Sequence, residues 1–317
     1  MSKHIALALA AVVLLSACAP VSAPAKPEDP TLRVGTLPIL DLLPLFVAEK
    51  QGYFKEQGIT VTFVPAQSAA ERDQLMQAGQ IDGMNNDMVS TVLYNKDLVK
   101  IKVVRTAIQA TSTWSQYSIF AAKNSGIKSA ADLKGVEIGI SQATVIEYIT
   151  YRLLADAGLA ASDIKTTNVI KIADRMQLLG SGKLKAATLP EPLATLAEQQ
   201  GALRVVPDAQ NPDHSNSVIS FSAQAVKEKP QTIRKFLAAY EKAIADVNAD
   251  PTQWQPLLNE NKIIPPALTS YKLPLYPKAS VPTQDQFADV LKWMKDKGMV
   301  TADVSYANLV DASFLPK

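Results

Sequence analysis

The chain is poor in the side chains that most often make metal sites and nucleophilic active sites: one cysteine and two histidines in 317 residues. A lone Cys18 leaves no intramolecular disulfide. No grouping of Cys, His, Asp and Glu has metal-ligand spacing, and neither GxSxG nor a phosphate-cradling P-loop occurs. Neither sign of charge predominates. The 32 Lys and Arg face 30 Asp and Glu, a net charge of +2, with no run of like charge. That balance gives no electrostatic argument for a nucleic-acid partner, which needs a concentrated basic face. Beyond residue 15 no apolar stretch approaches the length of a membrane-spanning helix. These shortages argue against a metalloenzyme, a nucleic-acid binder and a multi-span membrane protein. No cofactor and no metal are expected.

What is present begins with MSKHIALALAAVVLLSAC at 1–18. A short basic start, an apolar run from Ile5 to Leu15 and small residues after it read as a secretory leader over 1–17. Leu15, Ser16, Ala17 and Cys18 resemble the lipobox of bacterial lipoproteins, which implies a diacylated Cys18 and a membrane anchor on the extracytoplasmic side. Residues 18–30 are proline-rich without apolar periodicity and read as an extended tether.

The stretch 31–54, TLRVGTLPILDLLPLFVAEKQGYF, sets the plan. A β-prone run around Gly35 stops at Pro38, which has no N–H for a neighbouring strand. Leu42, Leu43, Phe46 and Val47 then fall at helical spacing, and a second β-prone run follows at 59–64. Strand, helix, strand predicts a parallel pair with a right-handed crossover. The same unit recurs at 136–170, and QLMQAGQIDGMNND (74–87) aligns with QLLGSGKLKAATLPEP (177–192). Two similar α/β halves predict two lobes facing each other across a cleft. About 285 residues suit two cores better than one. The lobes are expected at 31–122 plus 223–317, and at 123–222. Hinge crossings are expected at 117–124 and 217–223, with the C-terminal helices returning to the first lobe.

This order of elements resembles the solute-binding proteins of ABC importers, and within them the branch that binds alkanesulfonates, taurine, nitrate, thiamine-precursor pyrimidines and riboflavin. The residues carrying the resemblance are RVG at 33–35, AEKQGYF at 48–54, GQIDGM at 79–84, ADLKG at 131–135 and LPEPL at 189–193. The resemblance implies an α/β, two-lobe periplasmic-binding-protein fold of type II, each lobe a mostly parallel sheet flanked by helices. It implies a monomer delivering a small molecule to a permease and its ATPase.

Ligands of open α/β sheets sit beyond the carboxyl ends of the strands. The polar residues there are Asp41, Asn85, Asn86, Asp87, Gln142, Thr144, Glu147 and Glu191, joined by the loop aromatics Trp114 and Tyr117. Asp41 and Asp87 serve equally well as helix caps. This set contains no Arg and no Lys, so the expected ligand is a planar heterocycle, riboflavin or a thiamine-precursor pyrimidine, stacked on Trp114. A sulfonate, taurine or nitrate is the alternative, since helix N-termini bind anions without basic side chains. An enzyme like the fungal thiamine-pyrimidine synthase, or a ligand sensor, is a remoter reading.

Overall fold

The computed structural model describes residues 27–268 and 271–316. The leader, Cys18 and most of the tether lie outside the described residues, so the lipidation expectation does too. The first half lays down β1 (Thr31–Thr36), α1 (Leu43–Lys50), α2 (Tyr53–Glu56), β2 (Thr60–Pro65) and α3 (Ala69–Gln77). β3 (Gly83–Asp87), α4 (Met88–Asn95) and β4 (Ile101–Gln109) follow. The second half adds β5 (Tyr117–Ala121), β6 (Glu137–Ile140), α5 (Val145–Asp156), β7 (Lys165–Asn168) and α6 (Ile172–Gly180). It ends with β8 (Ala186–Pro190), α7 (Leu193–Gln199) and β9 (Leu203–Pro207). β10 (Asn216–Ser222) leads into α8 (Ala223–Glu228), α9 (Pro230–Ala249), α10 (Pro251–Glu260), α11 (Gln284–Asp296) and α12 (Tyr306–Leu309).

Two five-stranded sheets result, ordered β2-β1-β3-β10-β4 and β7-β6-β8-β5-β9. In the first, β1 pairs in parallel with β2 and β3, and only β10 runs against its neighbours. In the second, β6 pairs in parallel with β7 and β8, and only β5 is reversed. Each lobe is thus a mostly parallel sheet, and the two have the same plan. The reversed strands are the swapped ones. β5 belongs to the second sheet and β10 to the first. The expected boundaries at 122/123 and 222/223 therefore each fall one strand late, and the chain crosses at 110–116 and 208–215. Period and propensity identify both strands, but they carry no sign of which sheet a strand will join.

The C-terminal helices return to the first lobe as expected. α9 is amphipathic, with Ile233, Phe236, Leu237, Tyr240, Ile244 and Val247 buried at helical spacing, and it packs on α1 and α2. Phe236 stacks on Phe54 at 5.5 Å between ring centroids. Past α10 the chain is stapled to β4, where Thr106 N–H donates to Ser280 O at 2.7 Å and Val103 bridges Val310. α11, opened by a Thr283/Gln286 capping box, lies on α4. No described helix is long and apolar enough to cross a membrane.

β3 and β10 approach closely at a glycine. Gly83 begins β3 where the Phe221 ring of β10 crosses it, and a Cβ there would sit 2.5 Å from that ring. Gly83→Ala is expected to destabilise the first lobe by about 1–3 kcal/mol through forced repacking. Urea unfolding should register that as a lower midpoint at unchanged slope.

Candidate functional site

The carboxyl ends of β1, β3, β6 and β8 converge, so each lobe presents its mouth to the other. Leu37, Ile39, Arg72 and Asn85 from the first lobe face Tyr117, Ser141, Thr144 and Arg175 from the second. In the observed arrangement the walls close to leave about 40 Å³ between them. That volume suits a water or two rather than an organic molecule. Any larger ligand needs the lobes to part.

The most consequential side chains are two outside the expected set. Arg72 on α3 and Arg175 on α6 both line the cavity, and both are buried, at 2% and 0% exposure. They are related by the internal repeat. The register that aligns Gln74 with Gln177 continues upstream through ERDQLM and DRMQLL, and it equates Arg72 with Arg175. The contacts repeat too. Arg72 Nη1 donates to Asn85 O at 3.0 Å, and Arg175 Nε donates to Thr188 O, the equivalent carbonyl, at 3.2 Å.

Their electrostatics differ sharply. Arg72 holds Asp73 at 2.7 Å and lies 3.7 Å from Asp87. The repeat equivalents of those aspartates are Met176 and Pro190. Arg175 accordingly has no carboxylate partner among the described residues. Nε and Nη1 donate to the carbonyls of Thr188, Val169 and Ile170, while Nη2 has no partner among the described residues. Burial pulls its pKa down to about 10, which still leaves it charged at neutral pH. A buried guanidinium without a counter-ion is unfavourable unless something supplies one. Val145 and Ile146, at the N-terminus of α5, line the same cavity and add their helix dipole to its positive field.

The residues expected from the sequence divide into three groups. Asn85, Asn86, Asp87, Tyr117 and Thr144 do line the cavity. Asn85 is buried with its Nδ2 unpartnered among the described residues. Asp87 lines the cavity and also caps α4, accepting from Ser90 N–H at 2.8 Å; burial pushes its carboxyl up. Thr144 caps α5 in the same dual way. Asn86 is committed to the interior, donating to Thr91 at 3.2 Å and accepting from Ser220 at 2.7 Å.

A second group lines an adjoining, smaller cavity at the crossover: Asp41, Trp114 and Glu191, with Tyr117 shared between the two. Asp41 is not a cap. Its carboxylate takes the Ser217 hydroxyl at 3.0 Å, and burial pushes its pKa up to about 7. Glu191 accepts from Thr195 and pairs with Arg204 at 3.1 Å. Trp114, expected over the ligand, is half-buried against the first-lobe core and does not reach the larger cavity.

The last group lies away from the cleft. Gln142 is exposed, and its backbone N–H donates to Asn168. Glu147 is bound up in structure. It accepts from Ala143 N–H at 2.8 Å, holding that residue at φ +56°, and pairs with Lys297 at 3.1 Å. The expectation of a mouth without basic residues is overturned by Arg72 and Arg175.

Comparison with known proteins gives a consistent picture. The NMT1/THI5-like sequence family matches residues 40–254. The riboflavin-binding protein RibY of Chloroflexus aurantiacus is 26% identical over 277 residues, covering 79% of this chain and 76% of RibY. Among solved structures, the alkanesulfonate-binding protein SsuA of Xanthomonas axonopodis pv. citri, bound to MOPS, superposes with a TM-score of 0.76. It is 17% identical and spans 90% of this chain and 99% of SsuA. The desulfurization enzyme DszB superposes with a TM-score of 0.67 at 14% identity over 90% of this chain and 97% of its own.

Proposed function

The chain belongs to the NMT1/THI5-like family, and from that premise we propose that it is the solute-binding component of an ABC-type importer, closing on a small organic anion. The observation that carries this reading is Arg175, a fully buried cation facing the cleft with no carboxylate beside it among the described residues. An acid head supplied by the solute completes that charge, and the Asn85 amide across the cleft offers it a second donor. Ile39, Ile146 and Ile172 give the organic body apolar walls. In an importer the solute is handed to a permease from the extracytoplasmic face, and Cys18 is the residue proposed to carry the lipid anchor there.

A planar heterocycle is the second reading, favoured by the RibY relative and by the Tyr117 ring at the cavity wall. Catalysis has less support. The fold also carries the enzyme DszB, but His214 stands outside this cleft, hydrogen-bonded to Asp156.

Isothermal calorimetry of the purified protein against taurine, a longer alkanesulfonate, a carboxylate of the same length, riboflavin and hydroxymethylpyrimidine tests the proposal. A sulfonate or carboxylate is expected to bind at micromolar Kd or tighter, about −8 kcal/mol. Riboflavin binding with no response to any anion would overturn the anionic reading in favour of the heterocycle.

A further inference from the structure

We propose that His214 is a proton-operated brace between the lobes, one that favours the closed arrangement when its imidazole is charged. The inference rests on the reading of the cleft as a site that opens and closes, and it concerns the regulation of that site.

His214 sits in the second crossover, 208–215, and it faces one carboxylate from each lobe. Nε2 lies 2.9 Å from Asp156 at the end of α5, a second-lobe helix. Nδ1 lies 3.5 Å from Asp289 on α11, a helix packed on α4 of the first lobe, and 3.4 Å from the Tyr148 hydroxyl of α5. The other polar groups facing this cluster come from α5 and the crossover. On α5, Tyr148 donates its hydroxyl to Asp289 at 2.6 Å and Arg152 pairs with the same carboxylate at 2.6 Å. In the crossover, Asn211 donates to Asp156 at 2.7 Å. The Tyr148 proton is spent on Asp289, so nothing is left to donate to Nδ1. A neutral imidazole that keeps its proton on Nε2 for Asp156 turns a bare Nδ1 lone pair toward an Asp289 oxygen. A charged imidazole donates Nε2–H to Asp156 and turns a positive Nδ1–H toward the Asp289 carboxylate, so it attracts one carboxylate from each lobe.

The charge balance agrees with that geometry. Asp289 and Asp156 hold the imidazole above its ordinary value, although partial burial opposes them. If the lobes part, His214 loses Asp289 and its pKa relaxes toward that ordinary value. The sign follows. A group whose pKa is higher in the closed form stabilises closure fully at acid pH, and the stabilisation is lost as pH rises through the raised value. The cluster is partly exposed, so salt should weaken it.

The experiment needs no solute. Spin labels go on Ala70→Cys in α3 and Ala173→Cys in α6, repeat-equivalent exposed positions on opposite rims of the cleft, in the full-length chain carrying Cys18→Ala. Interlobe distance distributions are recorded between about pH 5.5 and pH 8.5, either side of the histidine range. The short-distance population is expected to dominate at acid pH. The closed-to-open ratio should fall by up to about tenfold for each unit by which the His214 pKa differs between the two forms. His214→Gln should give one distribution at both ends, and Asp289→Asn, which removes the first-lobe carboxylate, should flatten the response as well. Asp41→Asn serves as the control, because Asp41 also titrates near neutrality, and it should keep the slope. A parent whose distribution ignores pH, or a His214→Gln chain that keeps the full pH dependence, overturns the proposal. A failed solute panel would sink the anion reading while leaving this result untouched, and the reverse also holds.

Discussion

Replacing Arg175 with Gln is expected to weaken binding of the organic anion by two to three orders of magnitude while leaving the fold intact. The size follows from the environment rather than from the contact. Arg175 is fully buried and no carboxylate lies beside it among the described residues. Removing one partner of a buried ion pair typically costs about 3–5 kcal/mol, because the other charge is left uncompensated. In the Gln variant that stranded charge would be the ligand's. At about 1.4 kcal/mol per tenfold, two to three orders is the lower part of the range. Arg175→Lys should recover only part of the loss. An ammonium cannot hold the carbonyls of Thr188, Val169 and Ile170 and reach a ligand with a further, fixed N–H. Calorimetry with the best-binding anion, beside thermal melts of each variant, measures both halves of this expectation. An Arg175→Gln protein that melts like the parent and binds the anion within a fewfold of it would remove the argument for an anionic solute.

The positions of Arg72 and Arg175 were legible in the sequence, though only through the repeat. The aligned segments share Gln at 74 and 177, and two residues upstream both carry Arg. Taken singly, each arginine looks like part of a solvated helix face. α3 and α6 in fact bury a charged residue and an apolar one a turn apart: Arg72 with Met76, and Arg175 with Leu179. Hydropathy patterning cannot find a buried charge, because it counts charge as evidence of exposure. Internal symmetry can, since a duplicated position retained in both halves has a role that surface position alone does not explain.

Other parts were open to simpler rules. The strand-end rule led to Asn85, Asp87 and Thr144, because the carboxyl ends of parallel strands are determined locally by where each strand stops. It failed at Glu147, whose partner Lys297 is supplied by a helix far along the chain. The loop reading of Trp114 failed for a related reason: a polar neighbourhood in sequence said nothing of the first-lobe core that half-covers the indole. The two-lobe plan followed from order and repetition. The strand exchange did not, because β5 and β10 are each inserted between two strands remote in sequence, a long-range pairing that local pattern does not encode.

Glu241→Ala is expected to destabilise the first lobe by about 3–5 kcal/mol, the cost of leaving a buried charge without its partner. Three arginines in this fold are almost wholly buried, Arg72, Arg105 and Arg175. Arg105, on β4, is held by the carboxylate of Glu241 on α9 and by Pro277 O at 2.9 Å, with its guanidinium 4.9 Å from the Tyr240 ring centre. It thereby ties the sheet to the returning helix and to the segment before α11. Removing Glu241 gives Arg105 the condition Arg175 has by design, a buried cation with only carbonyls for company. The thermal midpoint should fall by on the order of 10 °C. The double variant Arg105→Met with Glu241→Ala should regain half or more of the loss, since an apolar side chain of similar reach is tolerated where an unpaired charge is not. The contrast bears on the cleft. If Arg105 cannot stand alone without a large penalty, then Arg175 stands alone at comparable cost, and the compensation arrives with the solute. Saturating anion should therefore raise the midpoint of the parent and leave Arg175→Gln where it was. A Glu241→Ala chain melting within a degree or two of the parent would instead mean that buried guanidinium groups are tolerated in this fold, and the charge argument for the cleft would lose its footing.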